Sequence, residues 1–372
     1  MNATWKHALV GLFLAGCAGV LTAFNAWRPR ILVLHAAAET SPWARGVDAG
    51  VDAALAVNRR PLSVRRHYLR LDTLARPEAR SAAAAEAIRA IERFDPDVLV
   101  AVDDESNAAV ASRFVTRGRP RIIYVSIDQP PERYGYPGPT DEPGRDADRT
   151  SVTGIREELP LAAIRDAVSA IHGDGVRIAA VGVDSDTGRA ERIQVEAFDW
   201  SPHAVASVAT AGDLAEWKRY VEAGAAGVDV LLVLSSAGLA REPAGGATAS
   251  GPEVAAWVEE RSAPLPIGVH AGFVADGGGL AISPAATDYG SRAMTMALEW
   301  LADPAGPPPR PETSAHFDVA LAPARLAARG VVLPAIYAEA ARAAGALVSR
   351  PPAAGPRGAA GGGRPGPGTR ER

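Results

Sequence analysis

Short apolar runs alternate with longer amphipathic stretches along most of this chain. Ile31, Leu32, Val33 and Leu34 lead without interruption to His35, as in a strand covered on both faces. Residues 43–57 then place Val47, Val51, Ala54 and Leu55 at helical spacing. The same alternation predicts a strand at 65–71, an alanine-rich helix at 77–94 with Ile88 and Ile91 on one side, a strand at 97–102, a helix at 106–115 and a strand at 121–126. Residues 130–150, dense in Pro, Gly, Asp and Arg, interrupt the pattern and read as an exposed connection. It restarts with helix 161–171, strand 176–182, helix 187–198, strand 203–209, helix 213–223, strand 228–234, helix 251–261, strand 266–269 and a long amphipathic helix at 286–302. Residues 316–321 and 334–347 close the series. Strands alternating with helices make an α/β fold. Two such series, each the size of a typical domain, predict two doubly wound parallel-sheet lobes with an inter-lobe cleft. The expected division is 31–150 plus 272–309 for the first lobe and 151–271 plus 310–349 for the second.

Neither end follows this pattern. Residues 1–30 place Lys6 before an uncharged stretch from Ala8 to Trp27, which Arg28 and Arg30 follow, as in a signal peptide or membrane anchor. Leu14, Ala15, Gly16 and Cys17 match a lipobox, in which small residues admit the signal peptidase and the Cys17 thiol takes the lipid. The run stays apolar through Phe24, and at about 20 residues it is long enough to cross a bilayer. A lipoprotein, an uncleaved anchor and a cleaved soluble form are three open readings. All of them put the body outside the cytoplasmic membrane, periplasmic and, in the first two, tethered by lipid or helix. Residues 350–372 form a Gly/Pro/Arg tail without apolar periodicity, expected to be disordered.

Composition sharpens the picture. Of 372 residues, 47% are hydrophobic and 22% charged, as in a packed globular protein. The net charge of −4 conceals an asymmetry, because residues 31–349 hold 42 acidic and 31 basic residues, a net of −11 between two basic ends. An acidic body argues against a nucleic-acid partner. Of the 39 basic residues 37 are arginine; Lys218 is the only lysine beyond Lys6, and it sits on a solvated helix face. One cysteine excludes an intramolecular disulfide and any Cys-cluster zinc site. The phosphate loop, the dinucleotide fingerprint between strand and helix, the nucleophile elbow and the His-Glu-x-x-His motif are all missing from the body. Gly361, Gly363 and Gly366 share the fingerprint spacing only by chance in a Gly/Pro tract. No enzyme, no cofactor and no metal site is expected.

In open parallel sheets, ligands bind beyond the carboxyl ends of the strands, and cavities favour domain interfaces. Candidate ligand-binding residues therefore follow each strand: Glu39, Ser41 and Trp43; Asp103, Asp104, Glu105 and Ser106; Asp128; Asp184; Ser235 and Ser236; and Phe273. A helix cap is the structural explanation for such residues, since an Asp or Ser after a strand accepts the free N–H groups of the next helix. Asp186 or Thr187 fits that role. The run Asp103-Asp104-Glu105 supplies three acids where one cap needs one, which favours a cationic or polyhydroxylated ligand; such carboxylates could equally take a hard metal ion, for which one acidic run is weak evidence. His270, with no obvious catalytic partner, reads as structural.

Several segments together resemble the ABC transporter substrate-binding proteins with a type I periplasmic-binding fold, the group that includes aromatic amino-acid binders. Residues 95–102 with the helix after them, Ile122-Ile-Tyr-Val-Ser-Ile-Asp128-Gln-Pro130, Ser151-Val-Thr-Gly154, Gly278-Gly-Leu-Ala-Ile-Ser-Pro284 and 317–334 carry the likeness, which covers about 31–349. Two departures stand out. Family members commonly carry small residues such as Gly-Thr-Pro after the third strand, where this chain has Asp103-Asp104-Glu105, and the connection at 131–149 is long. The opening strand with Ser41-Pro-Trp43 looks more like relatives that work beside membrane sensor kinases.

The resemblance implies a solute-binding protein that captures a small polar ligand between two lobes and delivers it to an ABC permease, with no bond made or broken. Hinge closure is expected near Ser151-Val-Thr-Gly154, Ala271-Gly272 and 310–313. The alternative is a ligand-sensing component that hands the closed form to a membrane sensor kinase.

Overall fold

A computed structural model describes residues 11–19, 28–74, 76–137, 151–224, 226–243, 247–314 and 316–348. Most of residues 1–30, where a signal peptide or membrane anchor is expected, the centre of the long connection and the 350–372 tail lie outside the described residues. Residues 11–19 are helical with Cys17 half-buried, and no helix among the described residues is long and apolar enough to cross a membrane.

The first sheet has six strands: β1 (Arg30–His35), β2 (Ser63–Tyr68), β3 (Val98–Val102), β4 (Arg121–Ile127), β5 (Val152–Arg156) and β11 (Glu312–Thr313), in the order β11-β5-β4-β3-β1-β2. All its pairings are parallel, with Ile31 opposite both Val64 and Val98. The second sheet comprises β6 (Arg177–Val183), β7 (Ala204–Ala211), β8 (Val230–Val233), β9 (Leu265–Gly268), β10 (Leu280–Pro284) and β12 (Phe317–Leu321), in the order β12-β10-β9-β8-β6-β7, with β12 antiparallel at the edge. Strands β3 and β8 are buried along their whole length, which explains their unbroken apolar sequence.

Helices cover both faces of each sheet. In the first lobe, α1 (Pro42–Val57) and α9 (Ala286–Ala302) lie against one face, while α2 (Pro77–Phe94) and the short α3 (Asp104–Ala109) lie against the other. Pro42 and Pro77 occupy the first helical turn, where a missing N–H costs nothing. Helices α1 and α9 approach so closely that a Cβ on Gly290 would sit 1.9 Å from the Val47 carbonyl oxygen, and one on Gly50 would sit 2.0 Å from that of Thr287. In the second lobe, α4 (Leu161–His172), α5 (Asp186–Ala197), α6 (Leu214–Arg219), α7 (Gly251–Arg261), α8 (Gly272–Ala275), α10 (Pro323–Ala328) and α11 (Ala335–Ala343) complete the cover.

The sheet pairing redraws the division expected from the sequence. Residues 151–156 belong to the first sheet, because β5 pairs with β4, and 272–285 belong to the second, because β10 pairs with β9 and β12. The chain therefore crosses between lobes at 157–160, near Ala285 and after Thr313, the last directly beyond the expected 310–313. Helices 106–115 and 213–223 also change form. The first is α3 followed by a 3-10 turn at Ala111–Arg117, and the second is α6 followed by a π turn at Tyr220–Gly224.

Candidate functional site

The carboxyl ends of the two sheets face each other, and polar residues from both converge there. Asp103 ends β3 in an unusual backbone conformation, φ 70° and ψ 156°, a region that glycine alone adopts without strain. Three donors hold its carbonyl: the Asn107 backbone N–H at 3.3 Å, the Asn107 side-chain amide at 2.9 Å and the Ser106 hydroxyl at 3.2 Å. Its carboxyl does not cap α3; Oδ1 instead accepts the Trp43 indole N–H at 2.7 Å. On the neighbouring strand, Ser126 is also at positive φ, 55°, where the β4–β5 register shifts. Its hydroxyl donates to buried Glu157 just past β5.

Asp104 organises the next turn. It accepts the backbone N–H groups of Asp128 at 3.1 Å and Gln129 at 3.3 Å, and the Tyr134 hydroxyl. Asp128 is thereby held in the cleft. From the second lobe, Glu191 reaches in from α5, its side chain only 1% exposed. It accepts His270 Nε2 at 2.5 Å and the Ser235 N–H at 2.7 Å. At the mouth, Asp186 joins the lobes, because its carbonyl accepts the Gln129 amide at 2.9 Å and its carboxylate pairs with Arg133 at 3.0 Å.

The electrostatics follow from this crowding. Burial, then the charges of Glu157 and Asp104, push Asp128 up to about 10. Burial likewise raises Asp103 well above the carboxylate range and outweighs the opposing Trp43 hydrogen bond, with Glu157, Asp104 and Glu105 adding to the shift. Glu157 is raised by burial and by Glu191 and Asp104, against the pull of His270 and Ser126. Burial alone would lower His270, but the adjoining Glu191 and the nearby Glu157 hold it up at about 9. Among the described residues, no arginine pairs with Asp103, Asp104, Asp128 or Glu157, although arginines pair with Glu105, Asp184 and Asp186. Tyr289 on α9 completes the wall. Its ring is fully buried 5.8 Å from that of Trp43, and its hydroxyl makes no hydrogen bond, only nearing the Glu158 backbone N–H.

Of the residues expected from the sequence, Trp43, Asp103, Asp104 and Asp128 come together, and Ser235 joins through its backbone. Ser41 and Ser236 are half-buried beside them without a side-chain hydrogen bond into the cluster. The others make different contacts. Glu105 is an exposed partner of Arg80, and Asp184, half exposed, pairs with Arg189 at 2.5 Å. Glu39 is exposed in the turn after β1. Ser106 is fully buried and bonds the carbonyls of Val102 and Asp103, and Phe273 packs in the second lobe's core against Gly268 and Gly278. The cap of α5 is Ser185, which accepts the Gly188 N–H at 3.1 Å, so Asp186 and Thr187 do not cap.

Sequence reasoning missed Glu157, Glu191 and Tyr289, and gave His270 a structural role. A signal for Glu191 existed, since it shares a buried stripe with Gly188 and Val195, an odd place for a carboxylate. Another histidine contact, between Ser169 and His203, is no nucleophile–base pair. His203 Nδ1 accepts the Val176 N–H, so Nε2 carries the proton and donates to Ser169 at 2.8 Å.

No family model matches the chain, and no curated protein matches it by sequence. Solved structures do match. The ABC domain in complex with L-Trp from Streptococcus pneumonia aligns with a TM-score of 0.60 at 16% identity, over 86% of this chain and 100% of that one. The ligand-free, open form of CD0873, a substrate binding protein with adhesive properties from Clostridium difficile, aligns at 0.60 and 15% identity, over 82% and 96%. AraP, an arabinose binding protein from Geobacillus stearothermophilus, aligns at 0.52 and 10% identity, over 79% and 97%. The chain thus has the type I periplasmic-binding fold of ABC transporter substrate-binding proteins, as the sequence resemblance implies.

Proposed function

We propose that this chain is an extracytoplasmic solute-binding protein that captures a small polar ligand between its lobes and presents the closed form to an ABC permease. One observation carries the reading. Polar side chains from the facing ends of both sheets converge on one cleft, and the lobes are joined by three crossings that can act as a hinge. The strain held at Asp103 and Ser126 supports it, because backbone in costly conformations collects where ligands are clamped. The N-terminal segment, with Cys17 in its lipobox, would keep the protein at the outer face of the membrane. The test is a thermal-shift screen of the purified protein against amino acids, polyamines, sugars, nucleosides and carboxylates. A ligand held only by the folded state raises its melting temperature by mass action. A single chemical class that stabilises the protein is the expected result, and a melt that no solute moves refutes the reading.

A further inference from the structure

Every pairing in the first sheet is parallel, so the amino ends of its strands lie at one pole, opposite the cleft. Helices α1, α2 and α9 end there too. Side-chain bonds knit the pole into one face. Arg28 donates to the Leu62 carbonyl at 2.7 Å, Arg30 to that of Phe94 at 2.8 Å and Arg121 to that of Trp300 at 3.1 Å. The segments that form it, 28–30, 57–62, 92–97, 117–121 and 302–310, hold nine arginines and four acidic residues. The matching pole of the second lobe, 172–177, 197–204, 222–230, 259–265 and 322–330, holds four arginines and six acidic residues. A general preference for arginine would enrich both poles alike. Helix ends do not account for the surplus either. Three carboxyl ends carry about half a negative charge each, which with the four acids still falls well short of nine positive charges. Arg117 pairs with Glu92 at 3.1 Å and Arg119 with Asp97 at 3.0 Å. Exposed Arg59, Arg60 and Arg93 have no acidic partner among the described residues, and Val57, on the same pole, is 81% exposed.

A second observation points to what meets this face. The uncharged stretch from Ala8 to Trp27 leaves only Arg28 and Pro29 before β1 begins at this same pole. Two residues span about 7 Å at most, within the Debye length of about 8 Å at physiological salt. On the reading that residues 1–30 hold the chain at the membrane, we infer that the amino-end pole of the first lobe docks on the bilayer through anionic phospholipid headgroups. Guanidinium groups suit phosphate oxygens because their fork donates two parallel hydrogen bonds. Val57 adds an apolar contact at the headgroup boundary. A single acyl chain holds a protein only marginally, and a basic patch supplies the second signal that stable attachment needs. Docked in this way, the first lobe stands on the membrane with the cleft facing away from it, and the second lobe is free to open and close.

Hydrogen–deuterium exchange of the full chain on vesicles tests the inference, with phosphatidylcholine alone compared with an equal mixture of phosphatidylcholine and phosphatidylglycerol. On the anionic vesicles, exchange at 57–62 and 92–97 should slow at least about fivefold, the contribution of one arginine near an anionic surface. The pole of the second lobe should be unchanged. Salt at about 1 M, where the Debye length is about 3 Å, should abolish the slowing. So should the triple variant Arg59→Glu, Arg60→Glu, Arg93→Glu. It should still attach to vesicles and keep its circular dichroism spectrum, because these side chains make no hydrogen bond or ion pair among the described residues. Equal slowing on both vesicles, or slowing that survives the charge reversal, overturns headgroup recognition by these arginines. Attachment without slowing on either overturns docking. A chain that attaches to neither vesicle overturns the inference together with anchoring by residues 1–30. The thermal-shift screen, which reads the cleft, then decides solute binding by itself.

Discussion

Replacing Asp103 by glycine should stabilise the fold, the reverse of what glycine does almost anywhere else. At φ 70° and ψ 156° a side chain is strained, and such positions cost about 1–3 kcal/mol. Glycine relieves that strain. Against it stand the lost Trp43 hydrogen bond, about 1 kcal/mol net, with the half-buried indole able to find water instead, and the greater entropy of glycine in the unfolded chain, about 0.5–1 kcal/mol. Removing a carboxyl that is already held protonated by burial also removes a desolvated polar group. The balance favours Asp103→Gly by about 1 kcal/mol, or a rise of about 2–4 °C in melting temperature. Asp103→Ala loses the same hydrogen bond and keeps the strain, so it should fall below the wild type. The comparison of the two variants isolates the backbone effect. In an ordinary helix alanine is the more stable by about 1 kcal/mol; here glycine should lead by about 0.5–2 kcal/mol, the strain less glycine's entropy in the unfolded chain. Urea denaturation of the three proteins, without ligand, measures the difference. An alanine variant as stable as the glycine variant would refute the argument, because the strain would then be absent.

The apo melting temperature should fall as pH rises from about 5 to 9. Asp128 keeps in the fold, up to about 10, a proton that the unfolded chain releases near 4, and His270 keeps one up to about 9 that the unfolded chain releases near 6.5. Both contributions are complete at low pH and lost on raising it. Asp128→Asn should reduce the slope, part of which Asp103, Glu157 and His270 retain, and Glu191→Gln should reduce it in the upper part; a melt independent of pH in the wild type would contradict the crowding. Gly290→Ala should destabilise by about 1–3 kcal/mol through overpacking of α9 against the Val47 carbonyl, despite alanine's higher helix propensity, as urea denaturation would record. Arg133→Ala should speed ligand release in stopped flow by no more than about fivefold, since an exposed ion pair contributes about 1 kcal/mol at most, and the difference should vanish in high salt.

The fold was legible because its strands are buried on both faces. Unbroken runs such as 98–102 and 230–233 cannot be amphipathic surface strands, so their alternation with helices leaves little besides a two-sheet α/β architecture. The boundaries between lobes were not legible. Strand β5 contains Gly154, whose Cβ would strike the Tyr124 carbonyl oxygen at 2.1 Å, so a residue chosen for close packing reads in sequence as a flexible crossing. That misreading hid Glu157, which follows β5 as Asp103 follows β3. The rule that ligands lie beyond strand ends finds Trp43, Asp103 and Asp128, yet it cannot separate a cleft carboxyl from a rim one. Asp184 and Asp128 occupy equivalent places after their strands. Only the structure shows that Arg189, one turn along α5, neutralises Asp184, while among the described residues no arginine pairs with Asp128.

That difference bears on how the lobes would close. Asp103, Asp104, Asp128 and Glu157 belong to the first lobe and Glu191 to the second, so closure brings acid toward acid across the hinge. Two carboxylates about 5 Å apart repel by about 3 kcal/mol at an effective dielectric near 20, more than the Arg133–Asp186 pair and the Gln129 bond at the rim can supply. An empty cleft must then stay open or hold protons. Protons on Asp103 and Asp128, which burial retains there, would relieve the repulsion.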